Sequence, residues 1–158
     1  MNINKPKIDR QAKKVGLFCN ARDENNIKEW AAHHLLIGFD IVYIFDHKSK
    51  IPLKEVFSNF DKRVIISRLD HGGNIKVFLM NKAINIAKSL ELDWFIYLDA
   101  DEFLILDKSF KGVKHLLNKY SYGDLVGINW LIFGSNFLVK EPYGLILENY
   151  KRSSKYLD

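Results

Sequence analysis

The chain has 158 residues, with 24 Lys and Arg against 19 Asp and Glu, a formal net charge of +5 with histidine neutral. Hydrophobic residues make up 47% of the chain and charged residues 27%, a balance that excludes a disordered protein and, at this length, predicts one hydrophobic core. The single cysteine, Cys19, excludes an intrachain disulfide and a thiolate zinc cluster and favours a reducing compartment.

The amino-terminal segment is basic and polar, and it lacks the apolar region of a secretory signal. We expect residues 1–14 to form a flexible arm and residues 15–158 to form a single domain in the cytoplasm. No apolar run approaches the ~20 residues of a membrane-spanning helix. The pI near 9.2 permits an anionic partner, but the lysines form no run typical of a nucleic-acid-binding arm, so we predict no nucleic-acid partner.

The first half of the chain alternates apolar runs with amphipathic segments. Runs rich in β-branched and aromatic residues predict buried strands, and apolar residues spaced three and four apart predict helices. In chain order the predicted elements are a strand at 15–19, a helix from residue 25 or 26 to about 37, a strand at 41–45 and a short helix at 53–60.

The second half continues this alternation, and only the tail from Gly134 gives a weaker pattern. The predicted elements are a strand at 64–67, a helix at 74–90, a strand at 94–98, a helix near 112–120, a strand at 125–131 and a further short strand at 145–147. Strands alternating with helices predict an α/β sandwich of three layers around a mostly parallel sheet. In such sheets a ligand binds at the carboxyl ends of the strands.

The segment Asp99-Ala-Asp-Glu102 is the strongest local signal, because it directly follows the apolar run 94–98. Carboxylates this close repel one another when they are buried without partners. A Mg²⁺ or Mn²⁺ ion removes that repulsion, and it also binds the oxygens of a substrate phosphate. A solvated acidic turn is the alternative, but the preceding apolar strand favours a metal site.

Polar residues also follow the other predicted strands. Asp46 can accept hydrogen bonds from a nucleobase or a ribose, or it can bond to its own backbone in a turn. Arg22 and Arg68 can pair with phosphate, and Asp23 can contact a base or a sugar. The alternative for Arg22 and Asp23 is a polar loop before a helix, where an acidic residue favours the helix dipole. For Arg68 it is an ordinary surface position.

Several other kinds of site are excluded by pattern. The sequence has no phosphate-binding loop, no dinucleotide-binding glycine motif and no nucleophile elbow. His33 and His34 are adjacent, so a helix directs them to different sides and they cannot form a zinc pair. We expect His34 to pack in the core and Cys19, which lies in an apolar strand, to be an inert buried thiol.

Taken together, these segments resemble those of family 2-like glycosyltransferases. The resemblance is carried by Arg22-Asp-Glu24, Glu29-Trp30 with His33 and His34, Gly38-Phe-Asp40, Tyr43-Ile-Phe-Asp46 with Ser49, Trp94–Phe103 and Asn129–Ser135. It implies a GT-A fold, a nucleotide-sugar donor with UDP favoured, and a divalent metal.

The resemblance also implies roles for individual residues. Asp99 and Asp101 match the pair that holds Mn²⁺ or Mg²⁺ on the donor diphosphate, and Asp46 matches the carboxylate that recognises the base. Arg22 and Asp23 fall in the first nucleotide-contacting loop. Glu102, beside the acidic pair, is the candidate catalytic base, with a structural role as its alternative.

The implied activity is transfer of a sugar to a glycan or glycolipid acceptor in surface polysaccharide or lipopolysaccharide synthesis. The mild basicity suits peripheral contact with the anionic inner face of a membrane. Three departures weaken the match: His47 replaces an asparagine, Asn136-Phe-Leu138 follows Ser135, and the chain ends at Asp158, which predicts a truncated acceptor half. The alternatives are a nucleotide-sugar-binding remnant or partner subunit without turnover, and an unrelated metal-dependent enzyme acting on phosphates.

Overall fold

The computed structural model describes residues 11–72, 75–120, 122–135, 137–140 and 142–153. The chain divides into two compact units, Met1–Asp124 and Leu125–Asp158, where one domain over residues 15–158 was predicted. The described part of the first unit contains four strands and four helices, and that of the second contains one short helix.

The sheet of the first unit is entirely parallel and has the strand order β3-β2-β1-β4. Its strands are β1 (Val15–Ala21), β2 (Ile41–His47), β3 (Val64–Leu69) and β4 (Trp94–Tyr97). The predicted α/β class is confirmed, and this sheet is compatible with a Rossmann-like fold.

The order in which strands are added to the sheet reverses at β1. The chain first builds outward from β1 through β2 to β3, and it then crosses back to add β4 on the other side of β1. Loops that leave β1 and β4 therefore diverge, and this divergence marks the ligand crevice of open α/β sheets. The register places Phe18 of β1 beside Tyr43 of β2 and Tyr97 of β4.

The first four helices are close to the predicted ones, and the fifth was not predicted. They are α1 (Ile27–Leu36), α2 (Leu53–Val56), α3 (Ile75–Ser89), α4 (Val113–Lys119) and α5 (Ile146–Asn149). After α1, Gly38 has a φ of +103°, the left-handed conformation that lets a glycine end a helix. The predicted helix at 53–60 ends earlier, at Val56, and the predicted cap of α3, Asn74, lies outside the described residues.

Both faces of the sheet are covered. On one face, Phe18 and Phe45 form a buried cluster with Leu79, Ala83 and Ala87 of α3. Side chains alternate between the faces of a strand, so a second set points the other way, and these are also buried: Leu17, Cys19, Val42 and Ile44. Right-handed crossovers place α1 on that second face, where its buried side chains include Trp30 and His34.

Two predicted strands are wrong. Residues 125–131 form no strand within the part of the chain that the structure describes; Leu125 is 87% exposed and Trp130 is 74% exposed. A strand needs a neighbour for its backbone groups, and among the described residues of this unit an isolated bridge joins Phe133 to Ser153 instead. The strand predicted at 145–147 is also absent: Leu145 is extended, and helix α5 starts at Ile146. A run of three apolar residues is too short to distinguish a strand from a helix turn.

The amino-terminal segment is described from residue 11. The backbone N–H of Ala12 donates to Asn118 Oδ1 at 2.6 Å. The amides of Lys13 and Lys14 both donate to Asp93 Oδ2, at 2.9 and 2.8 Å. The last residues of the predicted arm are therefore fastened beside the start of β4, and residues 1–10 lie outside the described residues.

Candidate functional site

The predicted site residues all lie at or just beyond the carboxyl ends of the four strands. Because the strands are parallel, these ends share one edge of the sheet. Following β1 are Arg22 and Asp23, near the ends of β2 and β3 are Asp46 and Arg68, and following β4 are Asp99, Asp101 and Glu102.

Asp46 is a fully buried carboxylate with partners on both oxygens. Its Oδ1 accepts the Ser49 amide at 3.1 Å, and its Oδ2 accepts the Leu53 amide at 3.0 Å. Arg68 of the neighbouring strand donates Nη1–H to Oδ2 at 2.8 Å and Nη2–H to the Ser49 carbonyl at 3.0 Å. Asp46 thus organises the loop after β2 and fixes the Arg68 guanidinium, whose side chain is 47% exposed.

These contacts also set the ionisation of Asp46. Burial by itself raises the pKa of the carboxyl, but hydrogen bonds from the Ser49 side chain and from the Leu53 and Ser49 amides, together with the Arg68 charge, outweigh it. The pKa therefore lies below its ordinary value, and Asp46 is ionised at neutral pH. A buried anion needs such donors in order to be tolerated.

The loops after β1 and β2 are joined through Asp23. Its amide donates to Ser49 Oγ at 3.2 Å, and its Oδ1 accepts the Lys50 amide at 2.7 Å. Asp23 and Lys48 both have positive φ, 56° and 61°. Non-glycine residues adopt this conformation at a cost, so it persists where surrounding contacts enforce it, which is common at functional sites.

The acidic segment after β4 is a tight turn. The Glu102 amide donates to the Asp99 carbonyl at 3.1 Å, and the Asp99 amide donates to Glu102 Oε2 at 2.8 Å. Lys76, in the first turn of α3, donates from Nζ to Asp99 Oδ1. Asp101 is exposed at the tip of the turn.

Helix α1 holds this turn from the other side. The Trp30 indole N–H donates to the Glu102 carbonyl at 2.7 Å, and His33 Nε2 lies 2.9 Å from the Leu104 carbonyl. The Leu104 amide donates to His34 Nε2 at 3.2 Å, so His34 carries its proton on Nδ1 and donates it to the Trp30 carbonyl at 2.8 Å.

His34 is fully buried, as predicted. Burial lowers its pKa from 6.5 to about 4, and a neutral ring suits the acceptor role of Nε2. Trp30, His33 and His34 of α1 therefore position the backbone that carries the acidic turn.

Negative charge concentrates between the β1 and β4 loops. Partial burial, followed by the charges of Asp101 and Asp23, raises the pKa of Glu24. Burial, followed by the charges of Asp99 and Glu24, raises the pKa of the Cys19 thiol, which agrees with an inert buried cysteine. The charge of Asp101 after β4 thus disfavours the ionisation of Glu24 after β1, and a divalent cation would relieve such repulsion between like charges.

The carboxylates present suit a cation that is shared with a substrate. Within the described residues, no group of three or more His, Cys, Asp or Glu side chains could hold a metal ion by itself. Mg²⁺ is commonly bound through one or two carboxylates, with substrate phosphates and water completing its shell. Asp99 and Asp101 can supply that number of carboxylates.

Sequence reasoning missed Lys76 and assigned no role to Ser49 or Trp30. The sequence does hint at Lys76, since it is the second residue of a helix whose first turn has no acidic residue, against the preference of the helix dipole. The contacts of Trp30 and Ser49 span 72 and 26 residues, and no local pattern predicts such partners.

Comparison of the chain with protein-family models, with curated proteins and with solved structures found no match. In the part of the chain that the structure describes, no helix combines the length and apolar character needed to cross a membrane.

Proposed function

We propose that this protein is a metal-dependent glycosyltransferase with a GT-A fold. It binds a nucleotide-diphosphate sugar at the carboxyl edge of the sheet and transfers the sugar to an acceptor hydroxyl. The observation that carries the proposal is the position of the acidic turn Asp99–Glu102 at the carboxyl end of β4, where the order of strand addition reverses. The resemblance to family 2-like glycosyltransferases supports the same function.

The metal in this proposal is Mn²⁺ or Mg²⁺, held by Asp99 and Asp101. Such an ion stabilises the charge that develops on a leaving nucleoside diphosphate. The contribution of the chain is to fix these two carboxylates. Glu102 closes the turn through the Asp99 amide, and Trp30 anchors the Glu102 carbonyl.

The nucleotide, with UDP favoured, lies along the loops after β1, β2 and β3. Arg22 is exposed, and Arg68 is half-exposed and aimed by Asp46, so both can meet the donor phosphates. Both Asp46 oxygens are already engaged by protein donors. We therefore assign Asp46 an influence on the base through the loop that it holds, with Asp23 as the exposed carboxylate for base or ribose.

The acceptor is a glycan or a glycolipid, and Glu102 is the candidate base. Its Oε2 is occupied by the Asp99 amide, which leaves Oε1 to take the proton of the attacking hydroxyl. The net charge of +5 supports peripheral contact with the anionic inner face of a membrane, and we propose a cytoplasmic protein.

The test is thermal unfolding with UDP, GDP and CDP, each with and without Mn²⁺. A ligand at 100 times its Kd stabilises the folded state by about 2.7 kcal/mol. We expect stabilisation that requires both Mn²⁺ and one nucleotide, with UDP the strongest. No stabilisation by any pair would overturn the donor site. Stabilisation without sugar hydrolysis or transfer would instead identify a nucleotide-sugar-binding subunit.

A further inference from the structure

Lys76 is paired with the carboxylate that the proposed function assigns to the metal. Its Nζ donates to Asp99 Oδ1, and the two side chains are 50% and 43% exposed. The pair is therefore open to solvent and can separate at little cost, since exposed ion pairs contribute little to stability.

The position of Lys76 in its helix is locally unfavourable. It lies in the first turn of α3, a helix of 15 residues with no acidic residue in that turn. A cation there opposes the helix dipole. Departures from local preference concentrate at functional or strained positions, and here the compensation is Asp99, an anion 23 residues away just after β4.

We infer that Lys76 is the resident counterion of Asp99 and exchanges that carboxylate for a phosphate oxygen of the donor when the donor and its cation bind. The inference rests on the proposed function. Without ligand, the ammonium group neutralises Asp99, which is two residues from the exposed carboxylate of Asp101. With a divalent cation held by Asp99, Lys76 would be free to pair with a phosphate oxygen of the donor and neutralise part of its charge.

This exchange predicts effects of opposite sign for one substitution. Lys76→Met removes the competitor for Asp99, so Mn²⁺ alone should bind about threefold more tightly than to the parent protein. The same variant loses a charged contact to phosphate, so UDP in the presence of Mn²⁺ should bind at least about tenfold more weakly. Lys76→Arg keeps the charge and should restore UDP binding.

The experiment is calorimetric titration with Mn²⁺ alone and then with UDP in saturating Mn²⁺. Lys88→Met is the matched control, because Lys88 is an exposed lysine in the last turn of the same helix. It should change neither affinity. Unfolding midpoints of all variants report whether the fold is kept.

The outcomes separate the inference from the proposed function. Wild-type binding of UDP and Mn²⁺ that Lys76→Met leaves unchanged would overturn the exchange alone. Weakening of both affinities would also overturn it, because that result indicates a structural role. Failure of the wild-type protein to bind UDP with Mn²⁺ would overturn the proposed function and the exchange together.

Discussion

The indole N–H of Trp30 donates to the backbone carbonyl of Glu102 at 2.7 Å, across 72 residues of sequence. Helix α1 thereby fastens the acidic turn that follows β4. His34 reinforces the same junction, since its Nε2 accepts the amide of Leu104. Two segments that look independent in the sequence, the Glu-Trp segment with its histidines and the acidic segment, are one structural unit.

Asp101→Asn should abolish most of the metal-dependent binding of UDP while leaving the fold intact. Asp101 is exposed, so its substitution removes a proposed metal ligand without disturbing the core. We expect UDP affinity in Mn²⁺ to fall at least about tenfold, measured by titration calorimetry. Asp61→Asn is the control, because Asp61 pairs with Arg63 before β3, at the opposite edge of the sheet. Equal UDP affinity in Asp101→Asn and the parent would contradict the metal role.

Asp46→Ala should destabilise the protein by about 2–4 kcal/mol, because the buried amides of Ser49 and Leu53 both lose their acceptor. Arg68→Met should cost only about 1 kcal/mol, since the Arg68 side chain is 47% exposed and can be solvated. Urea unfolding measures both. Equal, small losses would show that Asp46 does not organise the loop.

The free energy of unfolding should decrease as the pH is lowered, because of His34. The His34 side chain binds a proton near pH 6.5 in the unfolded chain and only near pH 4 in the folded protein. The stabilisation from the neutral ring is complete above about pH 6.5 and is lost progressively toward pH 4. From this residue alone, we expect the free energy of unfolding to drop by about 2 kcal/mol between pH 7 and pH 5.

The contribution of His34 is isolated by comparing variants. His34→Gln should flatten the pH dependence of urea unfolding over that interval. His47→Gln is the control. His47 lies at the edge of the sheet that carries the loops, and its Nε2 contacts the His71 carbonyl. This variant should keep the parent slope. A parent-like slope in His34→Gln would contradict the assignment.

Two phenylalanines that face one another should differ in their contribution to stability. Phe18 is fully buried and Phe95 is 42% exposed, although their rings meet edge to face at 5.8 Å. Phe18→Ala should cost about 3–5 kcal/mol and Phe95→Ala about 1–2 kcal/mol, because part of the Phe95 ring is already in water. Thermal and urea unfolding provide the comparison, and a larger loss for Phe95 would contradict the sheet packing.

The order of helices and strands in the first unit was predictable because it depends on local pattern. The runs at 15–19, 41–45 and 94–98 are short and apolar, and the spacing of apolar residues in α1 and α3 matches a helix. The pattern failed at 125–131 and 145–147, since a strand exists only where another strand accepts its hydrogen bonds. No local pattern contains that information.

The candidate site was likewise only partly predictable from the sequence. The sequence by itself determined which carboxylates and arginines follow the strands, because chain position and strand ends are local properties. Only the tertiary structure decided that Asp46 is enclosed by Ser49, Leu53 and Arg68, and that Lys76 reaches Asp99. Those partners are brought together by the crossovers of a parallel sheet, which join residues far apart in the chain.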